Sequence, residues 1–217
     1  TGSTHILKPQ GELVHMPENE HLSMRLAELA GLEVPPCGLV RLTDGSLAYI
    51  VRRFDRTPGS PPGRLAKQDF CQLLDVQPTR MYEEPTERCA AAVKEHADAI
   101  GDLPDTLRRL YRLFVVAYWL GNSDLHLKNI SLLEDPADPR KYRISPTYDF
   151  LCTAIYGPGH LKMALSIGGR RIARELRLRH FLELAQAAFG IPGADARAMI
   201  ASILTNEHAA AERIKRS

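Results

Sequence analysis

Apolar and polar positions along this chain change their period several times, and each change marks an element. Thr4-His5-Ile6-Leu7-Lys8 reads as a short strand ended by Pro9. Pro17 and Asn19 then introduce a helix whose Leu22, Leu26 and Leu29 recur at helical spacing until Gly31 stops it. Two apolar stretches, 38–42 and 47–54, flank Thr43-Asp44-Gly45-Ser46, and Asp-Gly between strand-like runs signals a hairpin. Residues 57–63 hold three prolines and two glycines, a composition that sustains neither helix nor central strand, so a boundary is placed there.

Beyond it the pattern turns helical over 68–75, 84–100 and 105–120, the last so apolar in its second half that it belongs in the middle of the structure. The chain then breaks at Gly121-Asn122-Ser123-Asp124. Two strand-like runs follow, 130–133 and 142–144, on either side of Asp135-Pro136-Ala137-Asp138-Pro139, and predict a second hairpin. A polar, glycine-rich stretch covers 156–169, and amphipathic helices over 172–189 and 195–214 close the chain.

Bulk properties narrow the function classes. At 217 residues the chain can bury a substantial core, as one large domain or two small ones, and 44% hydrophobic with 25% charged residues describe an ordinary globular protein. Against 28 Lys and Arg stand 26 Asp and Glu, so no overall basic field marks nucleic acid as a direct partner. Cys37, Cys71, Cys89 and Cys152 are scattered, without the close pairing of a zinc site or a small disulfide scaffold, and read as free thiols of a reducing cytosol. The longest apolar run, 113–120, is far short of the ~20 residues that cross a bilayer. With no signal-peptide pattern at its start, the protein is expected to be cytoplasmic, with no membrane partner.

The candidate chemistry is concentrated in Ser123-Asp124-Leu125-His126-Leu127-Lys128-Asn129. Asp124 and Asn129 stand five positions apart, the spacing of the Asp and Asn in the protein-kinase catalytic loop, where the Asp accepts the proton of the attacking hydroxyl and the Asn holds magnesium. Both roles need short, oxygen-bearing side chains on an irregular loop, since a regular helix would put positions i and i+5 on different faces. Asp149, in Tyr148-Asp149-Phe150, follows after a hairpin that returns the chain to the same edge, and is placed as a second magnesium carboxylate. Lys8, at the end of the first strand, is the candidate phosphate-binding lysine, with Glu20 on the first helix as its carboxylate partner. Phe54, where the hairpin strand enters the boundary, is placed to pack on a base.

Taken singly, each of these features has an ordinary structural explanation. A D-x₄-N spacing recurs by chance, a strand lysine is usually solvated, Asp149 fits a helix cap, His126 fits a structural imidazole, and Asp55 with Arg56 fits a surface ion pair. Their order carries the weight: lysine strand, helix, hairpin, boundary, buried helix, Asp/Asn loop, hairpin, Asp. The fold class this predicts is α+β, a bilobal protein-kinase-like arrangement. Residues 1–57 form a small strand-rich N-lobe portion, and 58–217 a larger, all-helical C-lobe carrying the catalytic loop.

The strings Ser3-Thr4-His5-Ile6-Leu7-Lys8-Pro9, Glu18-Asn19-Glu20, Arg53-Phe54-Asp55-Arg56, Gln68-Asp69-Phe70-Cys71-Gln72, Asp124-Leu125-His126-Leu127-Lys128-Asn129 and Tyr148-Asp149 together resemble the HipA-like serine/threonine kinases, toxins of bacterial toxin–antitoxin pairs. The resemblance implies transfer of the ATP γ-phosphate to a protein of the translation apparatus such as an aminoacyl-tRNA synthetase. It implies Asp124 as base, Asn129 and Asp149 as Mg2+ ligands, and Lys8, Phe54, Asp55, His126, Lys128 and Tyr148 around the nucleotide. It also implies a helix-turn-helix antitoxin as partner, with operator DNA reached only through that antitoxin. Arg52 stands where the family pattern has an acidic residue. The family's N-terminal subdomain and glycine-rich, serine-bearing phosphate loop precede the lysine strand, whereas this sequence starts at Thr1-Gly2, so a truncated chain or a separate small N-lobe protein is expected. Kinases of small molecules or lipids share D-x₄-N, and a pseudokinase acting as a binding module would also keep the scaffold; these are the competing readings.

Overall fold

A computed structural model describes residues 2–59 and 62–215, the side chains of 207–215 excepted. Ser60 and Pro61 of the expected boundary lie outside the described residues. The elements begin with strand β1 (His5–Pro9), helix α1 (Met16–Leu29), and strands β2 (Cys37–Arg41) and β3 (Leu47–Arg52). These strands form an antiparallel sheet in the order β1-β3-β2, with Lys8 opposite Tyr49. The Asp44-Gly45 turn joins β2 to β3; Gly45 takes a positive φ of 85°, and Asp44 accepts bonds from the Ser46 amide and hydroxyl. Ala48, Tyr49 and Val51 of the middle strand are buried, whereas Ile6 and Leu7 on the edge strand are exposed.

The α1 helix exists where the leucine spacing puts it, but that stripe is not its buried face. Leu22 and Leu29 are exposed, and Leu26 is only half-buried. The buried residues are Pro17, Asn19, Glu20, Ser23, Met24 and Ala27. Buried polar groups need partners, and this face finds them in the segment after Asp149. Asn19 Nδ2 donates to the Cys152 carbonyl at 2.9 Å and the Tyr156 hydroxyl at 3.0 Å. The Cys152 amide donates back to Asn19 Oδ1 at 3.1 Å and Ser23 Oγ at 3.0 Å.

Across the proline-rich boundary, two-residue strands β4 (Arg56–Thr57) and β5 (Gly63–Arg64) pair with each other. Strand β6 (Lys67–Asp69) and helix α2 (Phe70–Leu73) come next, so the helix expected over 68–75 is shorter. Asp69 ends the strand and caps the helix: it accepts from the Gln72 amide while the Gln72 side chain accepts from its own. Helices α3 (Thr86–Glu95) and α4 (Leu103–Leu120) follow. Leu110, Tyr111 and Val116 of α4 are fully buried, in agreement with its apolar pattern.

The expectation of an all-helical region over 58–217 does not hold. Strands β7 (Ser131–Asp135) and β8 (Asp138–Ile144) make the predicted hairpin, and β6 adds to it, giving the order β6-β7-β8. A further hairpin, β9 (Lys162–Ile167) and β10 (Arg170–Ile172), occupies the glycine-rich stretch and the start of the helix expected over 172–189. Gly168 and Gly169, with φ of 55° and 73°, supply the left-handed turn between them, and Met163, Leu165 and Ile167 are buried. Helices α5 (Leu178–Ala187) and α6 (Gly193–Lys215) end the chain. Among the described residues no helix is long and apolar enough to cross a membrane, and all four cysteines are free.

Candidate active site

The loop bearing Asp124 starts where α4 is stopped. Gly121 adopts φ 68°, its amide bonds back to Tyr118 and the Asn122 amide to Ala117, a left-handed helix end that glycine takes without strain. A Cβ there would stand 2.8 Å from Ala154 Cβ, so the position needs glycine for space as well. Thr153 then fastens the loop: its hydroxyl donates to the Gly121 carbonyl and accepts from the Ser123 amide. Buried Asn122 accepts from the Asp124 amide at 2.9 Å, and Asn129 Nδ2 donates to the Asp124 carbonyl at 3.1 Å. Both ends of the D-x₄-N segment are thereby tied to one backbone.

Asn129 is itself buried, with one amide N–H committed to the Asp124 carbonyl, and its side-chain oxygen is the atom that can accept or ligate. Asp149 follows β8 in a left-handed conformation, φ 54°. Asp tolerates this region, but a non-glycine residue held there is a common mark of functional loops. Its carboxylate is half exposed and takes a 2.6 Å ion pair from Lys8. Hard carboxylate and amide oxygens with room for waters and phosphate suit Mg2+, which needs only one or two carboxylates from a protein. Among the described residues no group of three His, Cys, Asp or Glu side chains forms a self-sufficient metal cluster.

Lys8 joins the two parts of the sequence. Its ammonium lies 2.7 Å from Glu20 and 2.6 Å from Asp149, 141 positions away. Burial would lower the Lys8 pKa, but the two carboxylates outweigh it and hold the group above the ordinary lysine value. Glu20 is buried deeply enough that desolvation lifts its pKa despite the attraction of Lys8. Desolvation prevails at Glu20 because the carboxylate is far less exposed than the lysine that faces it.

Asp124, Asp149, Tyr82 and Ser123 line one open cavity of about 560 Å³. Phe54 and Tyr148 line a second, of about 120 Å³, with Asp55, Lys67 and Val51; their ring centroids are 5.4 Å apart. Lys67 stands 4.6 Å over the Tyr148 ring, and the Tyr148 hydroxyl donates to the Lys128 carbonyl at 2.7 Å. Asp55 is locked between Arg53 and Arg56, with contacts of 2.8 and 2.6 Å. Burial would raise its pKa, but the Arg53 bonds and the two positive charges bring it below the ordinary carboxylate value.

The structure therefore gathers Lys8, Glu20 and Asp149 directly, puts Asp124 with Asp149 on one cavity, and puts Phe54, Asp55 and Tyr148 on another. His126 lines neither cavity; its ring meets the edge of Tyr82 at 5.0 Å. Lys128 contributes its carbonyl to Tyr148, and its side chain is exposed. Sequence reasoning missed Tyr82, whose hydroxyl donates to Asp124 Oδ1 at 2.7 Å. It also missed Lys67, Thr153 and the clamp role of Asn19. Of these only Asn19 left a trace, as a polar position beside Glu20 and one turn before Ser23 on a helix otherwise marked by leucine.

This mixed α/β scaffold is shared with two solved structures. It superposes on the HipA chain of a Shewanella oneidensis MR-1 structure described as the toxin–antitoxin system HipA, HipB and its operator DNA complex, with a TM-score of 0.83 and 22% identity over 98% of this chain and 52% of that one. With the Helicobacter pylori proinflammatory kinase CtkA the TM-score is 0.58 at 11% identity, over 94% of this chain and 86% of the other. At these identities the likeness is one of fold. The family follows from sequence: the HipA-like C-terminal domain profile matches residues 1–211, and the chain belongs to that family. A Sinorhizobium fredii protein named "Putative kinase Y4dM" is 34% identical over 178 residues, 76% of this chain and 41% of its own length. The chain thus spans about half or less of the curated relatives it matches and about half of the HipA chain.

Proposed function

We propose that this chain is the catalytic core of an ATP-dependent serine/threonine protein kinase, the toxin of a bacterial toxin–antitoxin pair. The observation that carries this reading is the Lys8–Glu20–Asp149 network, in which a strand lysine, a helix carboxylate and a loop carboxylate meet beside the cavity that holds Asp124. That is the set of parts a phosphoryl-transfer site requires. ATP bound here supplies the phosphoryl group, and magnesium offsets its charge.

In this reading Lys8 contacts the phosphates, oriented by Glu20, and Asp149 and Asn129 offer the metal their oxygens. Phe54 and Tyr148 flank the base, with Asp55 holding the turn between Arg53 and Arg56. Asp124 accepts the proton of a serine or threonine hydroxyl, its carboxylate presented by a loop whose backbone is fixed through Asn122, Thr153 and Asn129. Residues 1–57 act as the N-lobe portion and 58–217 as the C-lobe, with the strands β5 to β10 built into it. The acceptor is a translation protein such as an aminoacyl-tRNA synthetase, the partner a helix-turn-helix antitoxin, and the compartment the cytoplasm. The HipA neighbour's complex with HipB and operator DNA supports the partner, with DNA reached through it.

Calorimetric titration of ATP tests the nucleotide site. Wild-type protein should bind ATP more tightly with magnesium present, and Asp149→Ala should lose that gain. Unchanged magnesium-dependent affinity in Asp149→Ala would refute the assignment.

A further inference from the structure

Asp124 is held by a group that the kinase reading does not use. Tyr82 lies between a 3-10 turn, Pro78–Arg80, and α3, and its phenol donates to Asp124 Oδ1 at 2.7 Å. Two more contacts tie the same segment to the same loop. The Leu127 amide donates to the Met81 carbonyl at 3.3 Å, and the His126 ring packs against the Tyr82 ring at 5.0 Å and 90°. The turn is closed on itself by the Glu83 amide bonding to the Arg80 carbonyl and by an Arg80–Glu83 ion pair.

A carboxylate on a free rotor presents either oxygen, in a broad range of directions. Pinning one oxygen with a charge-assisted bond fixes the plane of the group and leaves the other oxygen as the acceptor. Among the described residues no other side chain bonds the Asp124 carboxylate, so the phenol sets its direction. Burial, then the bond and charge of Asp124, raise the Tyr82 pKa to about 12, so the phenol stays a donor at neutral pH. A displaceable plug would have one contact to break. Tyr82 has its ring, its hydroxyl and the backbone of the preceding residue all engaged on the catalytic loop.

We propose that Tyr82 is a positioning residue: its hydroxyl holds Oδ1 of Asp124 so that Oδ2 faces the acceptor hydroxyl. The proposal rests on the kinase reading of this site. Tyr82→Phe keeps the ring on His126 and removes only the hydroxyl. On the intact protein, with casein and purified aminoacyl-tRNA synthetases as acceptors, it should lower kcat on the order of 10- to 100-fold. The KM for ATP and the melting temperature should stay close to wild type. A second readout needs no activity. In protein carrying [13Cζ]-tyrosine, the resonance lost in Tyr82→Phe should shift in Asp124→Asn.

Unchanged kcat in Tyr82→Phe beside an active wild type overturns the proposal and leaves the kinase reading standing. A rise in kcat/KM for the acceptor also overturns it, because the phenol would then be blocking the acceptor. Equal losses of kcat, ATP affinity and thermal stability assign Tyr82 a merely structural part, and an unmoved resonance removes the contact itself. No transfer by wild type to any acceptor sinks both readings together.

Discussion

Gly121→Ala probes the joint between the buried helix and the loop it presents. Two costs follow from the structure. At φ 68° an alanine sits in the left-handed region, worth about 1–2 kcal/mol against it. Its Cβ would also meet Ala154 Cβ at 2.8 Å, well inside contact distance, and relieving such overpacking costs about 1–3 kcal/mol. Together the loss is about 2–5 kcal/mol, and at about 2–4 °C per kcal/mol for a chain of this size the melting temperature should fall by about 4–20 °C. The two terms separate in a double-mutant cycle. Adding Ala154→Gly removes the clash, leaves only an ordinary 3.6 Å approach to Cys152 Sγ, and leaves the φ cost intact. Urea unfolding of all four proteins, followed by far-UV circular dichroism, should give a favourable coupling of about 1–3 kcal/mol with unchanged m. Gly121→Ala within about 0.5 kcal/mol of wild type would refute both terms, and an absent coupling would refute the contact.

Asp55→Asn should destabilise by about 1–3 kcal/mol at neutral pH, less than for a fully buried pair, because Arg56 is left nearly buried beside an uncharged amide while Arg53 keeps water. The folded pKa of Asp55 is depressed, so its contribution is complete above the unfolded value of about 3.9 and fades as pH falls through the folded one. In urea titrations the gap between the two proteins should be constant from neutral pH down to about pH 5 and close below about 3.9; a gap that persists in acid would contradict the ion pair. Asn19→Ala strips bonds from both the amide and the carbonyl of Cys152, so it should cost about 1–3 kcal/mol and speed hydrogen exchange at the Cys152 amide. Unchanged exchange there would show that Asn19 adds nothing to the bond that Ser23 accepts from the same amide.

Local chemistry made part of this molecule legible. The Asp44-Gly45 turn, the apolar second half of α4 and the Gly121 stop are each decided within a few residues, and they stand where the pattern puts them. The pairing of Lys8 with Glu20 likewise followed from strand and helix order and is met at 2.7 Å, whereas the 2.6 Å ion pair of Lys8 with Asp149 was not foreseen. What stayed hidden was set by distant partners. The buried face of α1 is polar because Cys152 and Tyr156 need it, and leucine spacing alone points to the wrong side. Strand β9 is paired and buried only when β10 folds back on Gly168-Gly169, a turn signal passed over within a polar stretch. Tyr82 reaches Asp124 across 42 positions, with no spacing rule to announce it.

Asp124 is where binding and chemistry should part. In the proposed reading it acts on the hydroxyl nucleophile as proton acceptor, while Lys8, Asn129 and Asp149 are assigned to the nucleotide and its metal. General-base and positioning contributions are on the order of 10²–10⁴-fold in rate. The measurement is a paired one on the intact protein: radiolabelled phosphate transfer from ATP to aminoacyl-tRNA synthetases, with ATP affinity determined on the same preparations of wild type and Asp124→Ala. Transfer should fall by that factor in Asp124→Ala while ATP affinity changes little. Comparable transfer by both proteins, or tight ATP binding with no transfer by wild type, would contradict the account.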